Sequence, residues 1–549
     1  MLLYANGVRY LKEKRDQLIV QGSILAMAGI ITKIIGFIYR IPMANMLGEQ
    51  GNGIYSVSFG IYNVALTLSS YSLPLALSKL VSSRLGKNEP KNAFILFKRA
   101  FFFALIAGAC AFSVLFFGAE WLEALYSRTG LAHPLKVLAP TAFIVALLGV
   151  FRGYFQGHST MVPTALSQIL EQIVNAVVSI LATFFFIKAY EGAPDIAARG
   201  AAGATVGTLA GAFGALVMLT LFFTGKLASI KKDVKSDTSV PESKRRTYYD
   251  IVTTMIPIIL SQSIYQIGFT VDDLLYGNIM ATKGIEDAVV SAEQGVFNTQ
   301  YTQLINLPIA IATALAASAL PSVVKLFVKG LHKEKNEKIT SVIKLTSVIT
   351  IPCAVGLAVL SEPLISTLFP SLVDFREIAV KLLVYGSSAC VFYSIATVTT
   401  SVLQGNNRMR LPVINSFISF AIHVAAVFLM LKYTDLSVYA LLIGDITFPL
   451  VICVLNIISL KKHTGYTVEF KRCFLLPLFL SGIMGGVAFL TNFGLGFIIP
   501  NKVIRLGVSF VAAIAVYGLS VLKTNVFTDD EILDLPAGGK ILKLKNKLK

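Results

Sequence analysis

The chain has 549 residues, 55% of them hydrophobic and only 14% charged, with a mean hydropathy of +0.72. A soluble protein of this length could not hide that much apolar surface, so a water-soluble globular enzyme is excluded. The formal net charge of +18 raises nucleic acid as a partner, but the basic residues sit in short connections between apolar runs, which is the signature of membrane topology, and no nucleic-acid role is expected.

Apolar runs of the length a helix needs to cross a bilayer recur along the whole sequence. About fourteen transmembrane helices are expected, near 18–40, 53–76, 94–118, 134–150, 163–187, 200–224, 251–276, 294–320, 339–360, 377–402, 412–431, 437–460, 473–492 and 500–522. The first run follows basic residues but is long, contains Lys33 and lacks a small-residue cleavage site, so it reads as a retained span rather than a signal peptide. Lysine and arginine concentrate in alternate connections. Lys79–Arg99 and Lys325–Lys344 are basic, whereas Glu120–Arg128 and Lys283–Glu293 are mixed or acidic. The bias predicts both termini on the cytoplasmic side. Trp121 and Tyr126 fall where an outer interfacial belt is expected.

The longest connection, Lys226–Asp250, is polar and basic and contains a proline; it reads as a solvated cytoplasmic linker. It divides the chain into an N-terminal lobe, 1–225 with spans one to six, and a C-terminal lobe, 251–460 with spans seven to twelve. Spans thirteen and fourteen occupy 461–523, and 524–549 is a basic tail whose last part is expected to be amphipathic and to lie on the membrane surface. The two lobes show traces of one repeat. Gln156-Gly157 followed by Pro163 returns as Gln404-Gly405 followed by Pro412, and Ile35-Gly36-Phe37 returns as Ile267-Gly268-Phe269. Copies with an even number of spans are parallel, and transporters place a substrate path between such halves.

Charged residues inside spans usually face a cavity or a partner. Span one carries Lys33 and Arg40 on one face with Gly36 between them; they read as a cationic stripe toward an anionic substrate, with snorkelling of Arg40 to the interface as the alternative. Span five carries Gln168, Glu171, Gln172 and Asn175. Its carboxylate binds substrate, takes up a proton or pairs with a cation, for which Lys33 and Arg152 are the candidates. Span seven offers Gln262, Gln266, Asp272 and Asp273, and either aspartate, near the outer end, is a candidate for the cavity or for simple solvation. Span eight is polar (Asn298, Thr299, Gln300, Thr302, Gln303, Asn306) and reads as the lining of a wet cavity. Asn415, Ser419 and His423 recur at four-residue steps in span eleven, and Asp445 lies in span twelve; carboxylate and amide oxygens of this kind suit Na⁺. His423 and Asp445 each have a plain helix-pairing reading as well. Arg152, Gly153 and His158 at one turn and Arg408 and Arg410 at its counterpart are either ordinary cytoplasmic positive charge or a gate that meets a pyrophosphate. The five cysteines show no metal spacing, and no P-loop, HExxH or nucleotide-binding motif occurs, so no enzyme, no resident cofactor and no ATP-driven pump is expected.

Several stretches carry a family resemblance: GEQGNGIYS at 48–56, RGYFQG and PTALSQILEQ within 152–172, LQGNNRMRLPVINS at 403–416 and LPAGGK at 535–540. With them the chain resembles the bacterial polysaccharide-type flippases of the multidrug/oligosaccharidyl-lipid/polysaccharide exporter (MOP) superfamily, in the SpoVB/YtgP branch related to the MurJ lipid II flippases. The resemblance implies an all-α, V-shaped fold of two six-helix lobes plus two C-terminal helices in the bacterial cytoplasmic membrane. It also implies alternating access that carries an undecaprenyl-pyrophosphate-linked glycan such as lipid II to the outer leaflet, with cell-wall synthesis proteins as further partners. TKIIGF at 32–37 is similar to a family motif that places Lys33 at a cavity arginine. The next family arginine falls on Tyr39, with Arg40 shifted by one, and the basic residues of family span two are absent. The substrate set implied is Lys33, Arg40, Arg152, Glu171, Gln172 and Gln303. The ion-coupling set is Asp273, Asn415, Ser419 and Asp445, for Na⁺ or H⁺. The runner-up functions are a multidrug/cation antiporter of the same superfamily and a non-transport scaffold for wall synthesis.

Overall fold

The computed structural model describes residues 2–406, 408–524, 526–533 and 538–548, with side chains described throughout except at 2–20, 260–265, 317–322, 328, 530 and 548. The expectation for Gln262 and the first three residues of LPAGGK lie outside the described set. Among the described residues the chain is helical, with no strand. In hydrocarbon every backbone N–H and C=O must be satisfied within its own segment, and helices do this.

The chain divides into two compact units, Met1–Gly295 and Val296–Lys549. The first holds α1 (Leu2–Ser69), α2 (Leu73–Gly86), α3 (Pro90–Phe117), α4 (Ala119–Leu125), α5 (Ala132–Gly157), α6 (Val162–Ala189), α7 (Ile196–Ser236), α8 (Lys244–Thr282) and α9 (Asp287–Gly295). The second starts with a π-helical turn, Val296–Tyr301, and continues with α10 (Thr302–Val328), α11 (His332–Val359), α12 (Ser361–Leu368), α13 (Arg376–Gly386), α14 (Ala389–Gly405), α15 (Arg410–Tyr433) and α16 (Val438–Thr464). After a second π turn, Lys471–Leu475, come α17 (Leu476–Leu495), α18 (Lys502–Lys523), α19 (Asp529–Leu533) and α20 (Gly538–Leu548).

Ten helices among the described residues are long and apolar enough to cross a membrane, eleven if α13 and α14, bent by 44°, form one span. The chain is thus a multi-pass membrane protein. The intervals expected from the sequence coincide largely with helix, but 53–76 crosses the turn at 70–72 from α1 into α2 and 377–402 crosses the break between α13 and α14; α1 kinks at Gly48 (φ 68°, ψ −173°), a backbone conformation that favours glycine. The repeat noted in the sequence has a structural echo. Both α5 and α14 end on a Gln-Gly pair, and α6 and α15 then begin with a proline in their first turn.

Packing within the first unit relies on small residues, which let helix backbones approach closely. α6 and α7 meet at Gly207 and Gly211, where an added Cβ would lie 2.5 Å from the Asn175 carbonyl and 2.4 Å from that of Glu171. α1 and α9 meet more tightly still. A Cβ on Gly53 would sit 1.9 Å from the Ser291 carbonyl oxygen, and one on Gly295 would sit 2.6 Å from the Gly53 nitrogen.

The connection expected to be a solvated linker is built into the first unit. α7 runs on to Ser236 and α8 begins at Lys244, leaving only 237–243 non-helical. That strap is held by polar groups of α2 and α3. Arg84, buried, donates to Glu242 at 2.7 Å and to Asp250 at 2.8 Å. Asn92 donates to the Val240 carbonyl and accepts from the Glu242 N–H, Arg99 donates to the carbonyls of Glu242 and Ser243, and the Lys91 N–H binds Asp237. Ile251 and Met255 of α8 join the apolar core of α2, α3 and α5. Packing therefore divides the chain at Gly295/Val296, whereas the linker divides it at 226–250.

In the second unit the C-terminal tail folds back. Val526, Phe527 and Ile532 pack with Val348 of α11 and Leu480 of α17, and Tyr517, Val521, Ile541 and Leu542 close over them. Trp121 is exposed as expected of a belt residue, but Tyr126 is buried because the chain turns inward after α4 and its carbonyl meets Gly277 of α8.

The Gly53 contact leaves no room for a side chain. Gly53→Ala should cost about 1–3 kcal/mol or more of stability through overpacking, seen as a lowered thermal transition of the detergent-solubilised protein. Gly214→Ala, with nothing within 4 Å of the added carbon, should leave the transition unchanged.

Candidate substrate and ion sites

The polar face of α6 turns toward α1 and α5. Proline in its first turn and the absence of helix breakers after it set the helix, and four-residue spacing aligns Gln168, Glu171, Gln172 and Asn175 along one side. The Arg152 guanidinium donates to the Glu171 carboxylate at 2.6 Å and to Ser167 Oγ at 3.1 Å. Of the two cations proposed for Glu171, Arg152 is the one that pairs with it. Their side chains are 14% and 25% exposed, so the pair is shielded without being sealed. Tyr62 and Tyr71 interact with this charge, and the Tyr71 hydroxyl donates to Asn63 Oδ1 at 3.2 Å. Neither tyrosine was marked by the sequence. Tyr71 lies in the break between α1 and α2, next to Leu73-Pro74, and that break was the available signal.

Lys33 and Arg40 share a face of α1 with Gly36, and Gly36 lies against α6, where an added Cβ would be 3.1 Å from Gln172 Nε2. Exposed Met27, Ile31, Ile34 and Ile38 occupy a different face of the same helix. The cationic stripe is thus turned from the apolar flank toward α6. Lys33 is exposed, whereas Arg40 is half-buried above the Phe59 ring at 5.8 Å, with its Nε shielded and without a hydrogen-bond partner. Asn175 has a different fate from its neighbours on α6. It is buried, and it accepts from Ser179, which in turn donates to the Ala204 carbonyl of α7. Its role here is helix pairing.

Both aspartates of span seven are buried. Asp273 Oδ1 accepts from Gln294 Nε2 at 2.5 Å, and Gln294 Oε1 accepts from Arg128 at 2.7 Å. Arg128 also meets Asp287 at 3.2 Å, and Asp287 takes the Thr129 N–H at 3.0 Å. Burial pushes the Arg128 guanidinium below its ordinary value, with Asp287 pulling the other way. Solvation of Asp273 is thereby excluded in the conformation described. Arg128 and Gln294 were not singled out in the sequence: Arg128 sits in a short connection that reads as solvent-exposed, and Gln294 stands at the very start of the expected eighth span, ahead of its polar run.

The remaining candidates belong to the second unit. Asn415 donates to Asn456 at 2.9 Å and Ser459 at 3.1 Å, Ser419 to the Phe448 carbonyl at 2.6 Å, and His423 Nδ1 lies 3.0 Å from the Gly444 carbonyl. Their four-residue spacing is a seam that joins α15 to α16. Asp445 accepts from Tyr301 at 2.8 Å and Tyr393 at 2.9 Å, one tyrosine per carboxylate oxygen. Tyr301 closes the π turn, a distortion often found at functional positions. Gln303 follows it and is buried, as are Thr299 and Gln300, whereas Asn306 is exposed. No group of three or more Cys, His, Asp or Glu suited to a metal occurs among the described residues.

Residues 19–327 match the family described as polysaccharide biosynthesis protein. The chain is 26% identical over 507 residues to the lipid II flippase MurJ of Bacillus subtilis (strain 168), covering 90% of this chain and 91% of that one. Its fold matches a MurJ structure in an inward closed conformation, with a TM-score of 0.66 at 19% identity over 90% of this chain and 97% of that one. It also matches an inward-facing multidrug resistance MATE family transporter of the MOP superfamily, with a TM-score of 0.67 at 17% identity over 82% of this chain and 98% of that one. The chain belongs to the polysaccharide biosynthesis protein family.

Proposed function

We propose that the protein carries an undecaprenyl-pyrophosphate-linked oligosaccharide, lipid II for peptidoglycan synthesis, from the inner to the outer leaflet of the bacterial cytoplasmic membrane. The reading rests on similarity to a lipid II flippase along nine-tenths of the chain. The chemistry of α1, α5 and α6 supports it. A pyrophosphate diester carries about two negative charges, and ionised donors bind such groups with short, charge-assisted hydrogen bonds. Lys33, Arg40 and Arg152 supply those donors. Gln172 is placed to contact sugar, and Gln303 is assigned the same role in the second unit. Glu171 pairs with Arg152 and offsets part of the cavity's positive charge.

Transport would follow alternating access driven by an ion gradient or the membrane potential, with Na⁺ or H⁺ as coupling ion. Asp273 and Asp445 are the carboxylates we assign to that ion. A part for Asn415 and Ser419 would require the α15–α16 seam to open. The MATE-like fold favours a multidrug/cation antiporter as the second reading. A cationic drug would be repelled by Lys33 and Arg40, which is why the anionic substrate is preferred.

Depletion of the protein should cause lipid II to accumulate on the inner leaflet; unchanged lipid-linked intermediates would sink the proposal. Lys33→Ala should abolish outer-leaflet exposure of the precursor at normal protein level, and normal exposure would remove Lys33 from the headgroup site. For the pair, Glu171→Ala leaves Arg152 shielded and uncompensated. A double-mutant cycle with Arg152→Ala, read by thermal unfolding, should show a coupling of about 1–3 kcal/mol.

A further inference from the structure

The C-terminal tail is anchored more firmly than a surface-lying segment requires. Lys344, one of the largest fully buried side chains, sits in α11 and donates to Glu531 Oε2 at 2.6 Å, and Ser341 donates to Glu531 Oε1 at 3.0 Å. Glu531 also accepts from the Thr528 N–H, while Thr528 Oγ1 accepts from the Glu531 N–H, a reciprocal cap that starts α19. Burial works to raise the Glu531 carboxyl, but the hydrogen bonds from Lys344, Thr528 and Ser341 hold it below the usual carboxylate range. On α20, Lys545 is buried and donates to Asp529 at 2.7 Å and to the Phe527 carbonyl at 3.3 Å.

This anchoring fixes which way α20 faces and at what depth. Ile541, Leu542 and Lys545 form its docked side. On a helical wheel Lys540, Lys543 and Lys547 lie opposite them, and all three are exposed, with exposed Leu544 beside them. The docked residues meet Leu345 and Val348 in α11, Leu476 and Leu480 at the start of α17, and Tyr517 and Val521 in the last two turns of α18. Leu476, Tyr517 and Val521 lie within two turns of a helix end, and Leu345 directly follows the basic stretch Lys325–Lys344, so the docked side reaches from the headgroup layer at that end of the unit inward to Val348 and Leu480. A polar helix held there, with a stripe of three lysines turned away from the bundle and a leucine at its edge, is matched by a surface of phosphate groups over an apolar interior.

We propose that α20 is a docked anionic-phospholipid-binding helix, with Lys540, Lys543 and Lys547 on headgroup phosphates and Leu544 at the acyl boundary. The Lys344–Glu531 and Lys545–Asp529 pairs hold it in register with the bilayer surface. The site is separate from the proposed glycolipid path and does not depend on that reading.

The test uses the full-length protein in nanodiscs of pure phosphatidylcholine and of phosphatidylcholine with about 30% phosphatidylglycerol, with amide hydrogen exchange followed across 538–548. Each lysine near an anionic surface adds to the attraction between helix and bilayer. Exchange in this segment should therefore slow by about tenfold or more in the anionic discs, and the difference should shrink at 0.5 M NaCl. The triple variant Lys540→Gln, Lys543→Gln, Lys547→Gln changes only exposed residues and should exchange equally in both discs. Equal exchange of the wild-type segment in the two discs would overturn the proposal. So would a difference that persists in the triple variant, or slowing seen only when a soluble protein is added.

Discussion

A charge taken into hydrocarbon must find its partner inside the protein, because the lipid offers none. The Arg152–Glu171 pair is that constraint at its plainest here. It sits between α5 and α6, takes in Ser167 as a further acceptor, and lies within reach of Tyr62 and Tyr71. The rest of the first unit follows the same rule. Asp273 is met by Gln294, Gln294 by Arg128, and Arg128 by Asp287. In the second unit Asp445 takes two tyrosine hydroxyls and Lys344 takes Glu531. Some pairs join consecutive helices (Arg152–Glu171, Asp273–Gln294) and others join elements far apart in sequence (Tyr301–Asp445, Lys344–Glu531), so polar satisfaction and helix arrangement are one problem with one solution.

What this means for transport is that the same groups have two possible sets of partners. A guanidinium held by a carboxylate with a quarter of its surface still exposed is already desolvated and already oriented. Under the proposed function an incoming phosphate would meet a donor whose geometry is set, at the cost of displacing an internal anion. Lys33, by contrast, is exposed on the face of α1 that turns to α6. The two cations thus differ in kind, one held by an internal carboxylate and one open to an incoming anion.

Much of the fold was legible in the sequence because bilayer thickness translates directly into run length. The expected intervals coincide largely with helices, and the Gln-Gly turn before Pro163 and Pro412 recurs where the repeat placed it. The partners were less legible. Helical spacing put Asn415, Ser419 and His423 on one face, but a seam of helix-pairing bonds and an ion site share that spacing; only the positions of Asn456, Phe448 and Gly444 distinguish them. Glu171 was readable as needing a cation, and the choice between Lys33 and Arg152 depends on the α5–α6 crossing, which no periodicity reports. Arg128 went unseen because composition alone makes a short connection look solvated, and Gln294 because it stands at the very start of an expected span. The linker was legible only in part: most of its side chains are exposed as expected, but Glu242 and Asp250 pair with Arg84, and Asn92 and Arg99 bind the backbone of the strap.

That last feature bears on how the two sequence repeats are joined. A segment of seven residues between α7 and α8, stitched at both edges to α2 and α3, has no slack to give. It acts as a splint rather than a tether. Any rearrangement that carries α8 away from the first repeat must either tear those bonds or be absorbed within a helix, and Pro257, two residues beyond the α8 core contact at Met255, is where the α8 backbone lacks a hydrogen bond to lose.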